Sequence, residues 1–152
     1  MKVSKSTSDD MPARRRRSER PQAEPSPVSR SAEVVLDVEV EGDLVHLVLA
    51  NCGDAVATDV QVEFSCALMG VGNPIDLATL PLFTRMGVLR PGRTLRIFWN
   101  TACALLGHGD KTASFVAMVS WTERHRGKQR AEYHHDLAIY EQWPQSVESP
   151  RQ

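Results

Sequence analysis

The sequence predicts an all-β protein in which about seven short strands form two packed antiparallel sheets. In several segments apolar and polar residues alternate with a period of two, which is the pattern of a half-buried strand. Turn residues separate these segments at short intervals, and no long segments of helical periodicity lie between them. Because each strand has one apolar face, packing two sheets against each other removes apolar surface from water, at roughly 25 cal/mol per Å².

The first two strands form a hairpin around Glu41-Gly42-Asp43, where glycine can adopt the positive φ of a tight turn. Acidic residues alternate with apolar ones in the first strand, so one of its faces contacts the core and the other contacts water. The apolar residues are Val34, Leu36, Val38 and Val40. The second strand, 44–50, is apolar on both faces except at His46, which indicates a central position in its sheet.

The third strand, 58–69, alternates again, and Cys66 lies in its apolar register, where a thiol behaves as a small buried hydrophobe. Residues 70–92 are irregular and contain several glycines and prolines. Within them Asp76 is predicted to cap a single helical turn, because a carboxylate accepts the free N–H groups at a helix start. A short edge strand is predicted within 83–89.

The second half of the chain continues the β pattern. A fifth strand contains Trp99, residues 101–109 form a short helical bridge, and a sixth strand covers 114–122. Trp99 and Trp121 lie in apolar registers, so both are predicted to fill the core between the sheets. A polar loop leads to a seventh strand at 129–140, whose apolar positions are Tyr133, Leu137 and Ile139.

A basic segment precedes this acidic body. Residues 1–32 contain eight Lys or Arg against four Asp or Glu, whereas the whole chain of 152 residues has a formal net charge of −1. The segment is rich in proline and serine and poor in large apolar residues, so we expect it to be disordered. We divide the chain into a disordered basic arm at 1–32, a β-sandwich domain at 33–143 and a flexible tail at 144–152.

The sequence also predicts the cellular compartment of the protein. No apolar core follows the arginine run, and no apolar run approaches the roughly 18 residues of a membrane helix. We accordingly expect a cytoplasmic protein, in which Cys52, Cys66 and Cys103 stay reduced. Cys52 lies in a turn and is expected to expose its thiol. Three cysteines are too few for the usual four-ligand zinc site.

Two motifs resemble those of bacterial immunoglobulin-like sandwiches of the CARDB and fibronectin-III-like type. The first is Leu47-Val48-Leu49-Ala50-Asn51-Cys52-Gly53, a strand that ends in Asn-x-Gly, followed by the alternating Val60-Gln61-Val62. The second is Leu89-Arg90-Pro91-Gly92, which is similar to the Leu-x-Pro-Gly turn before a later strand of those domains. The resemblance spans about 33–140 and implies an immunoglobulin-like antiparallel β-sandwich that serves as an accessory or recognition module.

Catalytic signatures are missing from the sequence. It has no Gly-x-Ser-x-Gly nucleophile elbow, and the glycines at 70–72 lack the lysine and the following helix of a phosphate-binding loop. We therefore predict no enzymatic activity and no cofactor, and we expect a non-catalytic binding or protein-interaction module. An unknown protein partner is favoured, because edge strands and the irregular 71–89 connection offer main-chain pairing and loop surface.

Two sets of residues are candidates for binding. Trp143 and Tyr140, near the end of the last strand, either form an aromatic patch for a carbohydrate or small ligand, or pack back on the domain. The second set is the run Arg14, Arg15, Arg16 and Arg17. Four adjacent guanidinium groups either hold a polyanion in a weak, non-specific contact or form a solvated tail.

A small metal-binding protein is the remaining alternative, with His134, Asp136 and His125 as ligands. Glu132, His134 and Asp136 share one face of the last strand and are about 7 Å apart. A row of this kind is more simply a solvent-facing polar stripe, because three consecutive side chains on one face do not converge on a compact ion. His125 lies in the preceding loop and would join them only if the fold brought it there.

Overall fold

The computed structural model describes residues 30–70, 72–106 and 114–140, and this part of the chain is mostly β-structure in antiparallel sheets. Two short helices and one 3-10 turn lie between the strands, and a second 3-10 turn follows the last one. No helix of the described part is long and apolar enough to cross a membrane. The strands are β1 Val34–Glu41, β2 Leu44–Asn51, β3 Ala57–Phe64, β4 Met69–Gly70, β5 Asn73–Asp76, β6 Met86–Leu89, β7 Thr94–Thr101, β8 Ser114–Glu123 and β9 Gly127–Asp136. The helices are α1 Pro81–Thr84 and α2 Ala102–Leu106, and the 3-10 turns are Leu77–Thr79 and Leu137–Tyr140.

Seven of the strands form two larger sheets. One has the order β1-β2-β7 and the other has the order β6-β3-β8-β9, so β2 is central, as its two apolar faces predict. Every pairing is antiparallel, and the longest runs from Ser114 opposite Asp136 to Glu123 opposite Gly127. β4 and β5 form a small separate hairpin. The strands at the edges of the two larger sheets are therefore β1, β7, β6 and β9.

The two sheets share one cluster of buried side chains. Trp99 of β7 is 1% exposed and meets the ring of Phe115 on β8 edge-on, with 5.6 Å between the ring centroids. Trp121 is also buried, so the predicted core positions of both tryptophans are confirmed. The inward positions of the first and third strands are buried as their alternation predicts, namely Val34, Leu36, Val38, Val60 and Val62.

Asn51 holds three segments together at one end of the described body. Its side chain is 1% exposed, and its amide nitrogen donates to Ala55 O at 2.8 Å and to Leu89 O at 3.0 Å. Its amide oxygen accepts from the N–H groups of Glu33 and Gly53. One buried amide thus satisfies groups from the start of β1, the β2–β3 loop and the end of β6, which explains the asparagine of the Asn-x-Gly motif.

The glycine of the same motif is explained by a close approach of backbone. A Cβ atom added to Gly53 would collide with main-chain atoms of Ser31, Ala32 and Glu33. The carbonyl of Ser31 accepts from the N–H groups of Asp54 and Ala55, so the chain before β1 lies directly against the β2–β3 loop. Only a residue without a side chain allows this contact.

The third predicted strand is too long. β3 ends at Phe64, not at residue 69, because the chain turns out of the sheet after Ser65 donates its N–H to Val116 O. Asp76 then accepts the N–H of Leu68 and also caps the 3-10 turn through Ala78 N, as predicted for it. Cys66 lies in this turning segment, so its predicted position inside a strand is wrong, and it packs half-buried against the core rather than fully buried. The short edge strand predicted within 83–89 is confirmed as β6.

The last predicted strand is also too long. β9 ends at Asp136, whose carboxylate accepts the N–H of Ala138 and starts the final 3-10 turn. This turn breaks the period of two beyond residue 136. Leu137 is buried as predicted, whereas Ile139 is 65% exposed, so the predicted apolar role of Ile139 in the strand is wrong.

Candidate functional site

The edge of β1 is closed by side chains from the opposite sheet. Cys52 N donates to Glu33 O, and alternation along β1 then turns the carbonyls of Val34, Leu36 and Val38 away from β2. Each of these carbonyls has a side-chain partner. Tyr133 Oη donates to Val34 O at 2.8 Å, His135 Nε2 donates to Leu36 O at 3.1 Å, and Tyr140 Oη donates to Val38 O at 3.2 Å.

We call Tyr133, His135 and Tyr140 the edge ladder. Its three side chains occupy the carbonyl groups that an incoming strand would need, and Asp37 Oδ1 additionally accepts the N–H of Val38. Native proteins commonly cover edge strands in order to prevent unwanted pairing. β1 is therefore protected against pairing with another chain.

Burial changes the acid–base behaviour of the edge ladder. Desolvation lowers the pKa of His135, although the nearby Asp37 carboxylate and the bond to Leu36 act in the opposite direction. Desolvation likewise raises the pKa values of Tyr133 and Tyr140, so their hydroxyls stay protonated and remain donors near neutral pH. The ring of His135 also lies 4.9 Å from that of Phe115, which fixes its orientation.

The lowered pKa of His135 predicts a loss of stability in mild acid. The unfolded chain binds a proton at this histidine near pH 6.5 and the folded chain only at lower pH, so the free energy of unfolding should fall as the pH drops below about 6.5. Urea denaturation of wild type and of His135→Gln at several pH values measures this, and the variant should lose part of the dependence. His125→Gln is the control, because His125 is exposed in a loop. An equal pH dependence in wild type and His135→Gln would contradict the prediction.

The edge of β7 is open over its first half. Asn51 N donates to Arg93 O, and alternation along β7 then turns the N–H and C=O groups of Thr94, Arg96 and Phe98 away from β2. No residue of the described part bonds to these outward groups. The second half of β7 contacts the β4–β5 hairpin, because Trp99 Nε1 and Asn100 Nδ2 both donate to Met69 O in β4. The open segment is thus 94–98, and we call it the open β7 edge.

An exposed aromatic side chain lies beside the open β7 edge. Phe98 is 49% exposed and contacts the ring of His46 on β2 edge-on, with 5.9 Å between the centroids. The Nδ1 atom of His46 is buried without a hydrogen-bond partner, which is unusual for a buried polar atom. The outer face of this sheet thus offers an exposed apolar ring next to unpaired main-chain groups.

Arg96 organises the rest of that outer face. Its guanidinium bonds Glu39 at 3.0 Å and Glu41 at 2.9 Å on β1, and the bond to Glu41 is the main reason that the pKa of Arg96 is raised. The side chain crosses β2 next to its register partner Val48, which is only 5% exposed although it belongs to the outer face. Charge at the open β7 edge is therefore already balanced within the domain.

The proposed metal ligands are not brought together. His134 and Asp136 do share an exposed face of β9 with Glu132, as predicted, and His134 Nε2 lies 2.7 Å from Glu132 Oε1. His125 lies in the loop before β9, about 24 Å of strand away from His134. Asp136 is engaged in capping Ala138. Within the described residues no group of three His, Cys, Asp or Glu side chains is arranged to hold a metal ion.

A cleft of about 300 Å³ includes His134 and Asp136 in its lining. Its other polar lining residues are Ser65, Ser114 and His135. The hydroxyl of Ser65 accepts the N–H of Val116 at 2.9 Å, so it serves the backbone of the neighbouring strand. This cleft is an open notch where β8 begins and β9 ends.

Of the two residues of the predicted aromatic patch, Tyr140 and Trp143, the structure describes Tyr140. Tyr140 is half-buried and its hydroxyl belongs to the edge ladder, so this side chain packs back on the domain. Trp143 and the run Arg14, Arg15, Arg16 and Arg17 lie outside the described residues. The thiols of Cys52 and Cys103 are exposed, as predicted for Cys52, and all three cysteines are free.

Comparison with known proteins gives a family without an assigned activity. A family model described as DUF8453, a domain of unknown function, matches residues 3–141. The match takes in most of the basic arm together with the β-rich body. No curated protein and no solved structure matches the chain.

Proposed function

We propose that this chain, which belongs to the DUF8453 family, is a non-catalytic interaction module that binds an extended segment of another protein along the open β7 edge. In this mode the partner adds a strand to the sheet, and main-chain hydrogen bonds supply affinity while side-chain contacts supply selectivity. The partner strand would pair with Thr94, Arg96 and Phe98 and would place an apolar side chain against the Phe98 ring.

The proposed fold beneath this site is an immunoglobulin-like sandwich of three plus four strands. The strand orders support it, since the chain crosses from one sheet to the other at the β2–β3, β6–β7 and β7–β8 connections. The shared core and the edge-on contact of Trp99 with Phe115 support it as well. The edge ladder joins the two sheets on the side of β1 and β9.

The contrast between two edges of the same sheet carries the functional proposal. Three outward carbonyls of β1 have side-chain donors, whereas the outward groups at 94–98 of β7 have no partner in the described part of the chain. An exposed edge with an apolar side chain beside it is a hazard for aggregation unless it has a partner. We infer that this edge is open because a partner uses it.

The absence of enzymatic activity is part of the same proposal. The polar side chains at the cleft of His134 are engaged in structural bonds, with Ser65 accepting from Val116 and Asp136 accepting from Ala138. His134 is paired with Glu132 rather than with a hydroxyl nucleophile. These contacts favour a structural role for the polar stripe of Glu132, His134 and Asp136 on β9.

Selection of peptides from a displayed random library tests the proposal. We expect the selected peptides to be extended and to carry alternating apolar residues, and the amide NMR shifts of the domain to change most at 94–98. Phe98→Ser should weaken peptide binding by about tenfold, because it removes buried apolar area at the interface. Thr94→Pro should weaken it as well, because it removes an outward N–H without removing a bond to β2.

Ile139→Ser is the matched control, since Ile139 is a large exposed apolar residue in the 3-10 turn after β9, outside the open β7 edge. It should leave peptide affinity unchanged. Selected peptides that perturb β1 or the cleft of His134 instead of 94–98 would refute the proposed site. Failure of the library to yield any saturable binder would count against the proposal too.

A further inference from the structure

Two rows of aliphatic side chains cross the inner face of the sheet β1-β2-β7, with their members opposite one another in register. The rows are Leu36–Leu49–Leu95 and Val38–Leu47–Ile97. Their members on β1 and β2 are at most 4% exposed. Leu95 and Ile97 on β7 also pack against the shared core, but each of them is only half-buried. Burial in each row is therefore incomplete at its β7 end.

β1 shows that a position at the edge of this sheet does not by itself leave inward side chains exposed. Leu36 and Val38 are buried although β1 is an edge strand. β9 of the other sheet lies against β1, and the edge ladder bonds to the outward carbonyls of β1. Among the described residues no comparable ladder reaches the outward groups of 94–98. β7 thus lacks a neighbour that β1 has.

The strand of the other sheet on this side is β6, and it leaves the same region partly open. Asn51 donates to Leu89 O at the end of β6 and to Arg93 O just before β7, so these strands lie on the same side of the body. β6 has four residues and β7 has eight. Met86 in β6 packs against the shared core and is also half-buried. Both strands therefore leave apolar side chains of the core partly exposed to water.

We define the uncovered flank as the main chain of 94–98 together with the side chains of Leu95, Ile97 and Met86. At one end it is bounded by the β6–β7 turn. At the other end it is bounded by the β4–β5 hairpin, to which the next two residues of β7 are bonded. An extended chain of about five residues matches the uncovered flank in length, because a strand advances about 3.4 Å per residue.

The uncovered flank sets two requirements for an occupant. Its unpaired N–H and C=O groups need main-chain partners, and its half-buried side chains need apolar neighbours. An extended segment meets both requirements, because its backbone pairs with 94–98 while its side chains point alternately to the two faces of the sheet. Side chains on the outer face contact Phe98, which is exposed there. Side chains at the positions in between enter the inner face beside Leu95 and Ile97.

The charges at the uncovered flank favour a neutral occupant and disfavour a second copy of this chain. Arg96 is the charged residue within 94–98, and Glu39 and Glu41 already pair with it. A second β7 paired antiparallel over all of 94–98 would place Arg96 opposite Arg96. Like charges directly opposite each other destabilise a strand pair. A neutral segment of another protein avoids this repulsion.

We propose that the partner segment is a neutral run of about five residues that is apolar on both faces, and that its inward side chains complete the core beside Leu95, Ile97 and Met86. This inference rests on the proposed function and adds the inward-facing positions to it. Strands that are buried on both faces have nearly continuous apolar sequences, whereas strands with one wet face alternate. The chemistry that this site recognises is therefore a continuous aliphatic run.

Titration calorimetry of the full chain with two synthetic peptides tests this proposal. One peptide carries a run of valines as long as 94–98, the other alternates valine with serine over the same length, and both have the same lysine flanks for solubility. In any register the alternating peptide presents apolar side chains to one face only. The valine peptide should bind about tenfold more tightly, because it buries apolar side chains on both faces. It should also shift the methyl NMR signals of Leu95 and Ile97.

Ile97→Thr should remove most of the difference in affinity between the two peptides, because it places a hydroxyl on the inner face. Val40→Thr is the matched control, since Val40 is also half-buried and packed against the core but lies on β1. It should keep the preference for the valine peptide. Thermal denaturation shows whether both variants are folded during the titration. If Ile97→Thr is not folded, the two peptides and the methyl shifts of wild type decide the question.

The outcomes separate this inference from the proposed function. Equal affinity of the two peptides, with amide shifts at 94–98 in both titrations, overturns the inference and leaves the proposed function intact. A lack of amide shifts at 94–98 with either peptide overturns the proposed function, and the inference with it. Dimers of the chain alone that pair through 94–98 overturn the inference as well, because a second copy then occupies the uncovered flank.

Discussion

Trp99→Ala is expected to lower the free energy of unfolding by about 4 kcal/mol, in the range of large aromatic truncations in cores. The side chain is 1% exposed and contacts the ring of Phe115, which belongs to the other large sheet, within the shared core. Truncation leaves a cavity and also deprives Met69 O of the indole N–H donor. Because the Trp99 side chain contacts both Phe115 in the other large sheet and Met69 in the β4–β5 hairpin, its truncation removes both contacts at once.

The neighbouring residue provides the control for this prediction. Phe98→Ala removes an aromatic side chain from the opposite face of the same strand, where Phe98 is 49% exposed. It should change the free energy of unfolding by less than about 1 kcal/mol. Urea denaturation of both variants measures the difference. A Trp99→Ala variant as stable as Phe98→Ala would show that the two sheets do not share a core at this position.

Asn51→Ala is the second large effect, with an expected loss of about 3 kcal/mol or more. The substitution leaves the carbonyls of Ala55 and Leu89 and the N–H groups of Glu33 and Gly53 without their partner. Each buried polar group that stays unsatisfied costs about 1 to 3 kcal/mol, and water reaches some of them after truncation. The expected loss of stability is large because one substitution removes the hydrogen bonds that Asn51 makes to three chain segments.

Asn100→Ala is the matched control for Asn51. Asn100 is also buried, but its amide makes one long bond to Met69 O at 3.4 Å and one to the adjacent Thr101 N. Its truncation should cost about 1 kcal/mol. Thermal or urea denaturation compares the two variants. If Asn100→Ala is the more damaging of the pair, Asn51 does not organise the end of the body as described.

The sequence predicts the individual strands well because burial alternates with a period of two. The alternation of Val34, Leu36 and Val38 places these side chains in the core, and the doubly apolar second strand is central. The predicted strand ends are wrong where a side-chain hydrogen bond ends a strand although the apolar–polar alternation continues. Asp136 caps Ala138 and terminates β9 four residues before the predicted end at 140, and no periodicity can reveal such a cap.

The candidate site was harder to predict than the strands. The open β7 edge depends on the strand order, which a single sequence with local periodicity does not determine. The edge ladder depends on contacts such as that between Tyr133 and Val34, which are 99 residues apart in the chain. The sequence pattern predicts the inward register of Tyr133 but does not identify Val34 O as its hydrogen-bond partner. His134 and Asp136 lie two residues apart on one face of β9, where His134 belongs to a polar stripe with Glu132 and Asp136 caps the following 3-10 turn.

Amide hydrogen exchange along β7 tests the central claim of an open edge most directly. Leu95 and Ile97 direct their N–H groups to β2 and should exchange slowly, whereas Thr94, Arg96 and Phe98 should exchange rapidly. An alternating pattern of slow and fast exchange is therefore the predicted result in the isolated chain. Uniformly slow exchange across 94–98 would show that another part of the chain or a second copy already covers this edge, and it would contradict the account.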